Sequence, residues 1–313
     1  MARSRLLALG ALLTLAMLAF MTTGARGNWD FIIPFRGIKL VALITFAVSV
    51  SASTVVFQTL TANRILTPSI MGFDALYLMI QTALVFFIGG VGYAGIAAIP
   101  KFFAETAVMT FAALALFGLV LRGAQDLGRM VLTGLILGVF FRSITSLINR
   151  IIDPSEFSVV QQASFARFNA VHTELTWICF AITALCFAYF MAIHRRLDVM
   201  ALGRDTALGL GVDYAAHTRR LLAVIAILVS TSTALIGPVS FFGLLVAALT
   251  HRVIGSWRHL HLLPAAAMLG AALLVAGQTL FERVLSLQTS VSVVIEALGG
   301  LVFLILLFSR KSR

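Results

Sequence analysis

Leu40-Val41-Ala42-Leu43-Ile44-Thr45-Phe46-Ala47-Val48-Ser49-Val50-Ser51-Ala52-Ser53-Thr54-Val55-Val56-Phe57 runs without a charge, and none follows Lys39 until Arg64. A bilayer's hydrocarbon core is ~30 Å thick, which ~20 apolar residues of helix can cross. The stretch, read as a span over about 38–58, meets that length. Outward from it, comparable runs fall at about 5–21, 74–92, 103–121, 130–148, 173–193, 220–236, 240–254, 262–281 and 291–309. The pattern predicts an all-α polytopic membrane bundle of about ten transmembrane helices, with residues 1–313 forming a single transmembrane domain. The run at 240–254 is interrupted by Gly237-Pro238 and Gly243. It reads as a broken or re-entrant piece, tolerable only where protein or water covers the free backbone groups.

Composition agrees. The 313 residues are 60% hydrophobic and 11% charged, with mean hydropathy +1.04. A water-soluble fold would have to expose apolar surface almost everywhere. The formal charge of +11 would suggest nucleic acid in a soluble protein. Here the basic residues cluster at the ends of apolar runs, without an aromatic-interleaved basic patch. The positive-inside rule explains them, with membrane lipid rather than nucleic acid as the surrounding partner. With the N-terminus inside and alternating spans, the cytoplasmic side holds 15 of the 23 basic residues, among them Arg3, Arg5, Arg64, Arg195, Arg196, Arg204, Arg219 and Arg220. Both termini are therefore expected in the cytoplasm. Met1 to Arg5 followed by Leu6–Met21 has the outline of a signal peptide, but no A-x-A end follows, and it reads as a retained first helix.

Cys179 and Cys186 are seven residues apart in one predicted helix, ~10 Å at the helical rise and beyond disulfide reach. No Walker-type glycine loop, zinc-ligand spacing or His/Cys cluster occurs. The sequence predicts no catalytic residue, metal or cofactor, and no enzyme activity of the chain's own.

Three segments stand out from the apolar background. The first is Phe57-Gln58 through Asn63-Arg64 and Pro68 to Gly72, a polar helix end followed by punctuation before the next span. The second is Ala201-Leu202-Gly203-Arg204-Asp205-Thr206-Ala207-Leu208-Gly209-Leu210-Gly211, a glycine-rich turn with a short helical run. The third is Gly237-Pro238-Val239-Ser240-Phe241-Phe242-Gly243-Leu244-Leu245. Their order and spacing resemble the FecCD family, the permeases of bacterial ABC importers for iron–siderophore, haem and cobalamin. Arg36 and Lys39 fall on that family's two basic positions opening the second helix, and Gln58, Asn63, Pro68 and Gly72 keep their places. Its A-L-G, A, L-G pattern matches Ala201, Leu202, Gly203, Ala207, Leu210 and Gly211, its G-x-I-x-F-x-G-L pattern matches Gly237, Phe241, Gly243 and Leu244, and Leu262-Leu263-Pro264 follows. There are departures. Ala247-Ala248 replaces a Pro-His, Gly277-Gln278 stands where an Asp is usual, and a Pro is missing near Ser292. The Asn63–Asp74 run looks like the branch associated with ferric catecholate-type siderophores.

The resemblance implies a bacterial inner-membrane permease worked by separate ABC ATPase subunits, fed by a periplasmic substrate-binding protein, and paired with a second, related but non-identical permease. Residues 201–211, including Arg204, Asp205 and Gly209, become the ATPase-coupling element. The competing reading is an ordinary glycine-rich loop. Arg36, Lys39 and Arg283 become candidates for docking the binding protein, against simple snorkelling of basic chains at a helix end. Gln58, Asn63, Pro68, Gly134, Gly138, Gly237 and Gly243 become candidates for the gate or pathway, although Gly134 and Gly138 could equally form a packing face. Glu174 and Glu296 read as carboxylates near an external end, and Asp74 as a helix N-cap. A proton- or sodium-driven secondary transporter is the rival, but it predicts inverted repeats and midplane charges that are not clearly present.

Overall fold

The computed structural model describes residues 2–25, 27–123, 127–163, 165–166, 168, 171–284 and 291–309. Among these every regular element is helical. In chain order they are α1 (Ala2–Thr22), α2 (Trp29–Thr61), α3 (Phe73–Gly95), α4 (Ala98–Gly123), α5 (Leu127–Ile151), α6 (Pro154–Ala163), α7 (Thr173–Ala192), α8 (His194–Met200), α9 (Arg204–Gly209), α10 (Tyr214–Ile236), α11 (Phe242–Ile254), α12 (His259–Thr279) and α13 (Val291–Ser309). A 3-10 turn occupies Ser69–Met71 and a π-helical turn Leu280–Val284. Each predicted run carries a helix. Among the described residues eight helices are long and apolar enough to cross a bilayer: α1 to α5, α7, α10 and α12.

α2 forms the axis. Its apolar window is 83% buried, against 11% for α5. Small side chains on α2 permit this close surrounding. A Cβ on Gly270 of α12 would collide with Ser51 Oγ, and one on Gly243 of α11 with Thr54 Oγ1. Ser49 Oγ donates to the Leu228 carbonyl of α10 at 2.8 Å. Phe46 lies between Phe168 and Phe242, with ring centroids 5.7 and 5.9 Å away. α1 is a working part of this bundle, with Phe20 buried and Arg5 Nη1 donating to the Val253 carbonyl at 3.0 Å.

Two interruptions refine the sequence reading. Gly89 sits inside α3 at φ 75, ψ 160 and folds the helix back. Tyr93 Oη can therefore donate to Gln81 Oε1 at 2.5 Å, across twelve residues that a straight helix would hold ~18 Å apart. Glu156 of α6 accepts the Gly90 N–H at the bend. α6 lies between the runs at 130–148 and 173–193, outside every stretch read as a span; Pro154 at its first position is the start signal that could have found it.

The second interruption is the break at 237–241. Gly237 ends α10 at φ 110, and Gly237, Pro238 and Val239 are buried. α11 has 13 residues, ~20 Å, so the run at 240–254 is a short helix that follows a break. Protein covers the break: a Cβ on Gly237 would lie 3.1 Å from Ala166 Cα, and one on Gly299 of α13 would strike Phe241.

Candidate coupling face, gate and outer cluster

α8 is anchored by Leu197 and Met200, both buried. The chain then turns at Gly203, φ 98 and ψ 163, a conformation open to glycine and costly for other residues. The Gly203 N–H donates to the Met200 carbonyl at 3.1 Å. α9 follows, held by fully buried Ala207, whose carbonyl accepts the Val212 N–H at 3.0 Å. Gly211 closes the segment at φ 79; Gly209 ends α9 without a positive φ. Ala201, Arg204 and Asp205 are exposed. So are Leu202, Leu208 and Leu210, at 61, 48 and 60%. Nothing lies within 4 Å of a Cβ built on Gly203, Gly209 or Gly211. Local hydrogen bonds thus fix a short segment, α9 with its flanking turns, that presents three leucines outward.

The gate segment is wired internally. Ala62 takes the left-handed conformation (φ 47) that ends α2. Gln58 Nε2 donates to the Arg64 carbonyl at 2.6 Å, and Asn63 Oδ1 accepts the Ile65 N–H at 3.0 Å. Pro68 opens the 3-10 turn, and Thr67 Oγ1 accepts the Ile70 N–H at 3.3 Å. Gly72, at φ 100, touches α5 backbone to backbone: a Cβ there would lie 2.9 Å from Gly138 Cα and 3.2 Å from the Gly134 carbonyl oxygen. A Cβ on Gly134 would collide with Met71. The two glycines therefore seat the 69–72 turn. The rest of α5 exposes Leu132, Leu135, Ile136, Val139, Phe140 and Leu147.

Asp74 differs from the sequence reading. Gly72, not Asp74, holds the N-cap position of α3 and gives no side-chain cap. Asp74 Oδ2 instead accepts the Ser240 hydroxyl at 2.7 Å, which ties α3 to the break between α10 and α11. Glu296 is half-buried in the second turn of α13. Glu174 is exposed in the first turn of α7.

Lys39 of α2 meets Arg283, far away in sequence, at Glu282, while Arg36, one turn before Lys39, reaches the end of α1. Lys39 Nζ lies 3.6 Å from Glu282 Oε1 and Arg283 Nη2 lies 2.9 Å from it, while Gln278 Nε2 donates to Glu282 Oε2 at 3.1 Å. Arg36, only 4% exposed, donates from Nη1 to the carbonyls of Phe20 (3.1 Å), Met21 (2.8 Å) and Thr23 (3.0 Å). Its charge satisfies the orphan carbonyls at the C-terminal end of α1. Arg36 is thus committed to the bundle in this conformation, and neither a docking nor a snorkelling position describes it. Sequence reasoning missed Glu282. Its spacing of four from Gln278 and its place beside Arg283 were the available signals.

This set of turns and contacts lies within a chain whose residues 6–309 match the FecCD transport family. The chain belongs to the FecCD transport family. The petrobactin import system permease protein YclO of Bacillus subtilis (strain 168) is 38% identical over 286 residues, covering 91% of this chain and 91% of that protein. The petrobactin import system permease protein FatC of Bacillus anthracis is 34% identical over 310 residues, covering 98% of this chain and 88% of that protein. Among solved structures, an inward-facing ABC transporter assigned to the metal-chelate type superposes with a TM-score of 0.84 at 21% identity, covering 98% of this chain and 99% of that one. It confirms the fold. The FecCD chain is therefore a multi-pass, all-helical ABC-importer permease.

Proposed function

We propose that this chain is the membrane-spanning permease of an ATP-driven importer that carries ferric siderophore, of the catecholate-containing class, across a bacterial inner membrane. The observation that carries this reading is near full-length identity of 38% and 34% to two petrobactin import permeases. Both termini lie in the cytoplasm, and about ten crossings build the path. A periplasmic binding protein delivers the loaded siderophore at the end bearing Lys39, Glu282 and Arg283. A second, related permease completes the pore against the open face of α5. Two ATPase subunits engage the inner face, one of them on Leu202, Leu208 and Leu210 of this chain, and their closure moves the 201–211 segment. The chain makes and breaks no covalent bond. It supplies a path and a lever.

The test is purification of the intact assembly in detergent, followed by uptake in vesicles. An ATPase and a second permease should co-purify, and radiolabelled ferric petrobactin should enter ahead of haem and cobalamin. Preferential uptake of cobalamin would replace the substrate assignment, and a chain that purifies alone and runs on a proton gradient would replace the machine.

A further inference from the structure

We propose that His259 is a positioning residue, a strut that passes movement of the 201–211 segment to the gate turn at 69–72. The proposal rests on the coupling role given to 201–211 above. Asp198 lies on α8, three residues before Ala201. One of its oxygens, Oδ1, accepts two hydrogen bonds from His259, from the backbone N–H and from ring Nδ1, each at 2.7 Å. His259 is the first residue of α12, and the preceding Arg258 offers no side-chain cap. A carboxylate 61 residues away therefore caps α12, where helix N-termini leave unpaired N–H groups and favour negative charge. The other ring nitrogen, Nε2, lies 2.8 Å from Thr59 Oγ1 in the last turn of α2. The imidazole, 2% exposed, is clamped at both nitrogens between α8 and α2.

From Thr59 the connection continues along the chain to Gln58 and through an exposed stack of Arg64 on Trp257. Neighbouring Gln58 holds the Arg64 carbonyl. The Arg64 guanidinium stacks on Trp257, 4.2 Å from its centroid, and that ring meets His251 at 5.4 Å. The loop between α11 and α12 is thus bound to the gate segment as well as to α8. The gate segment ends at Gly72, whose backbone rests on Gly134 and Gly138. A displacement of α8 is therefore felt by the end of α2, by the gate turn and by α5. Close-packed groups transmit a shift rather than absorb it. The competing route is along the chain into α10, where Arg196 Nη1 lies 3.0 Å from His217 Nε2 and Asp213 caps the helix.

Contact alone does not establish coupling, so the test measures it. The complete assembly, with its ATPase, second permease and delivery protein, is reconstituted in proteoliposomes, and siderophore uptake and ATP hydrolysis are read together. Asp198→Ala and Thr59→Val should each lower uptake per ATP hydrolysed about tenfold, within the usual range of coupling energies. The ATPase should still co-purify in both. The double variant should be no worse than the more damaging single one, because both cut one route. Asp198→Asn, which keeps an acceptor oxygen, should recover most of the uptake. Normal uptake per ATP in Thr59→Val would overturn the proposal, since His259 would then only close α12. Strictly additive losses, or loss of the ATPase from Asp198→Ala, would overturn it too. Failure of wild-type permease to hold the ATPase would instead sink the coupling reading beneath it.

Discussion

The segment at 201–211 and the cluster around Glu282 make opposite use of their chemistry. The segment at 201–211 spends its hydrogen bonds on itself and leaves Leu202, Leu208 and Leu210 facing outward. The Glu282 cluster matches its charges within the chain. Arg36 holds three carbonyls of α1, and Glu282 draws in Lys39 and Arg283. In the proposed roles, an apolar lever would grip a partner firmly as it moves. Charges already matched within the chain would favour a looser encounter, in which a partner's carboxylates exchange with Glu282. Charge pairs of that kind steer and orient more than they bind.

The sharpest way to break this contrast is Gly203→Pro. Proline fixes φ near −65° and has no N–H, whereas Gly203 sits at φ 98 and donates to Met200. ATP-dependent uptake should be lost while binding of the delivery protein persists; normal uptake would refute the coupling assignment. The triple change of Leu202, Leu208 and Leu210 to Ser comes next. Burying three leucines at an interface is worth several kcal/mol, so ATPase affinity measured by co-sedimentation should fall about a hundredfold or more. Arg36→Ala should leave delivery-protein affinity near wild type yet cost about 2 kcal/mol of stability, because bonds to a charged donor are lost at buried carbonyls. A lower thermal midpoint in detergent reads this, and a large loss of docking with an unchanged midpoint would return Arg36 to the docking surface. The smallest effect is expected from Glu282→Gln. Freeing Lys39 and Arg283 should tighten docking about threefold, a change within the range of exposed ion pairs and weakened by salt. Weaker docking would mean that Glu282 organises the site instead of competing for it.

The fold was largely legible, because every run crossing the bilayer must satisfy its own backbone and so announces itself as an apolar stretch. The 173–193 run matches α7 (Thr173–Ala192) almost to the residue. Glycine stands where a positive φ is required, at Gly203, Gly211 and Gly237, and where backbones touch, at Gly134 and Gly138. What stayed hidden was pairing across the fold. Nothing in the neighbourhood of Asp74 names Ser240, and nothing near Asp198 names His259. Arg36 illustrates the same limit, since a basic residue at a helix end looks alike whether it reaches for a partner or caps its neighbour. Gly89 was read as part of a continuous span because the run around it stays apolar, although the Gly89-Gly90 pair was an available turn signal.

The most direct test of the whole is reconstitution of the permease pair with its loaded delivery protein in liposomes containing ATP, with the ATPase either supplied or omitted. Ferric siderophore should accumulate only where the ATPase is present. Equal accumulation without it would contradict a permease driven from its inner face.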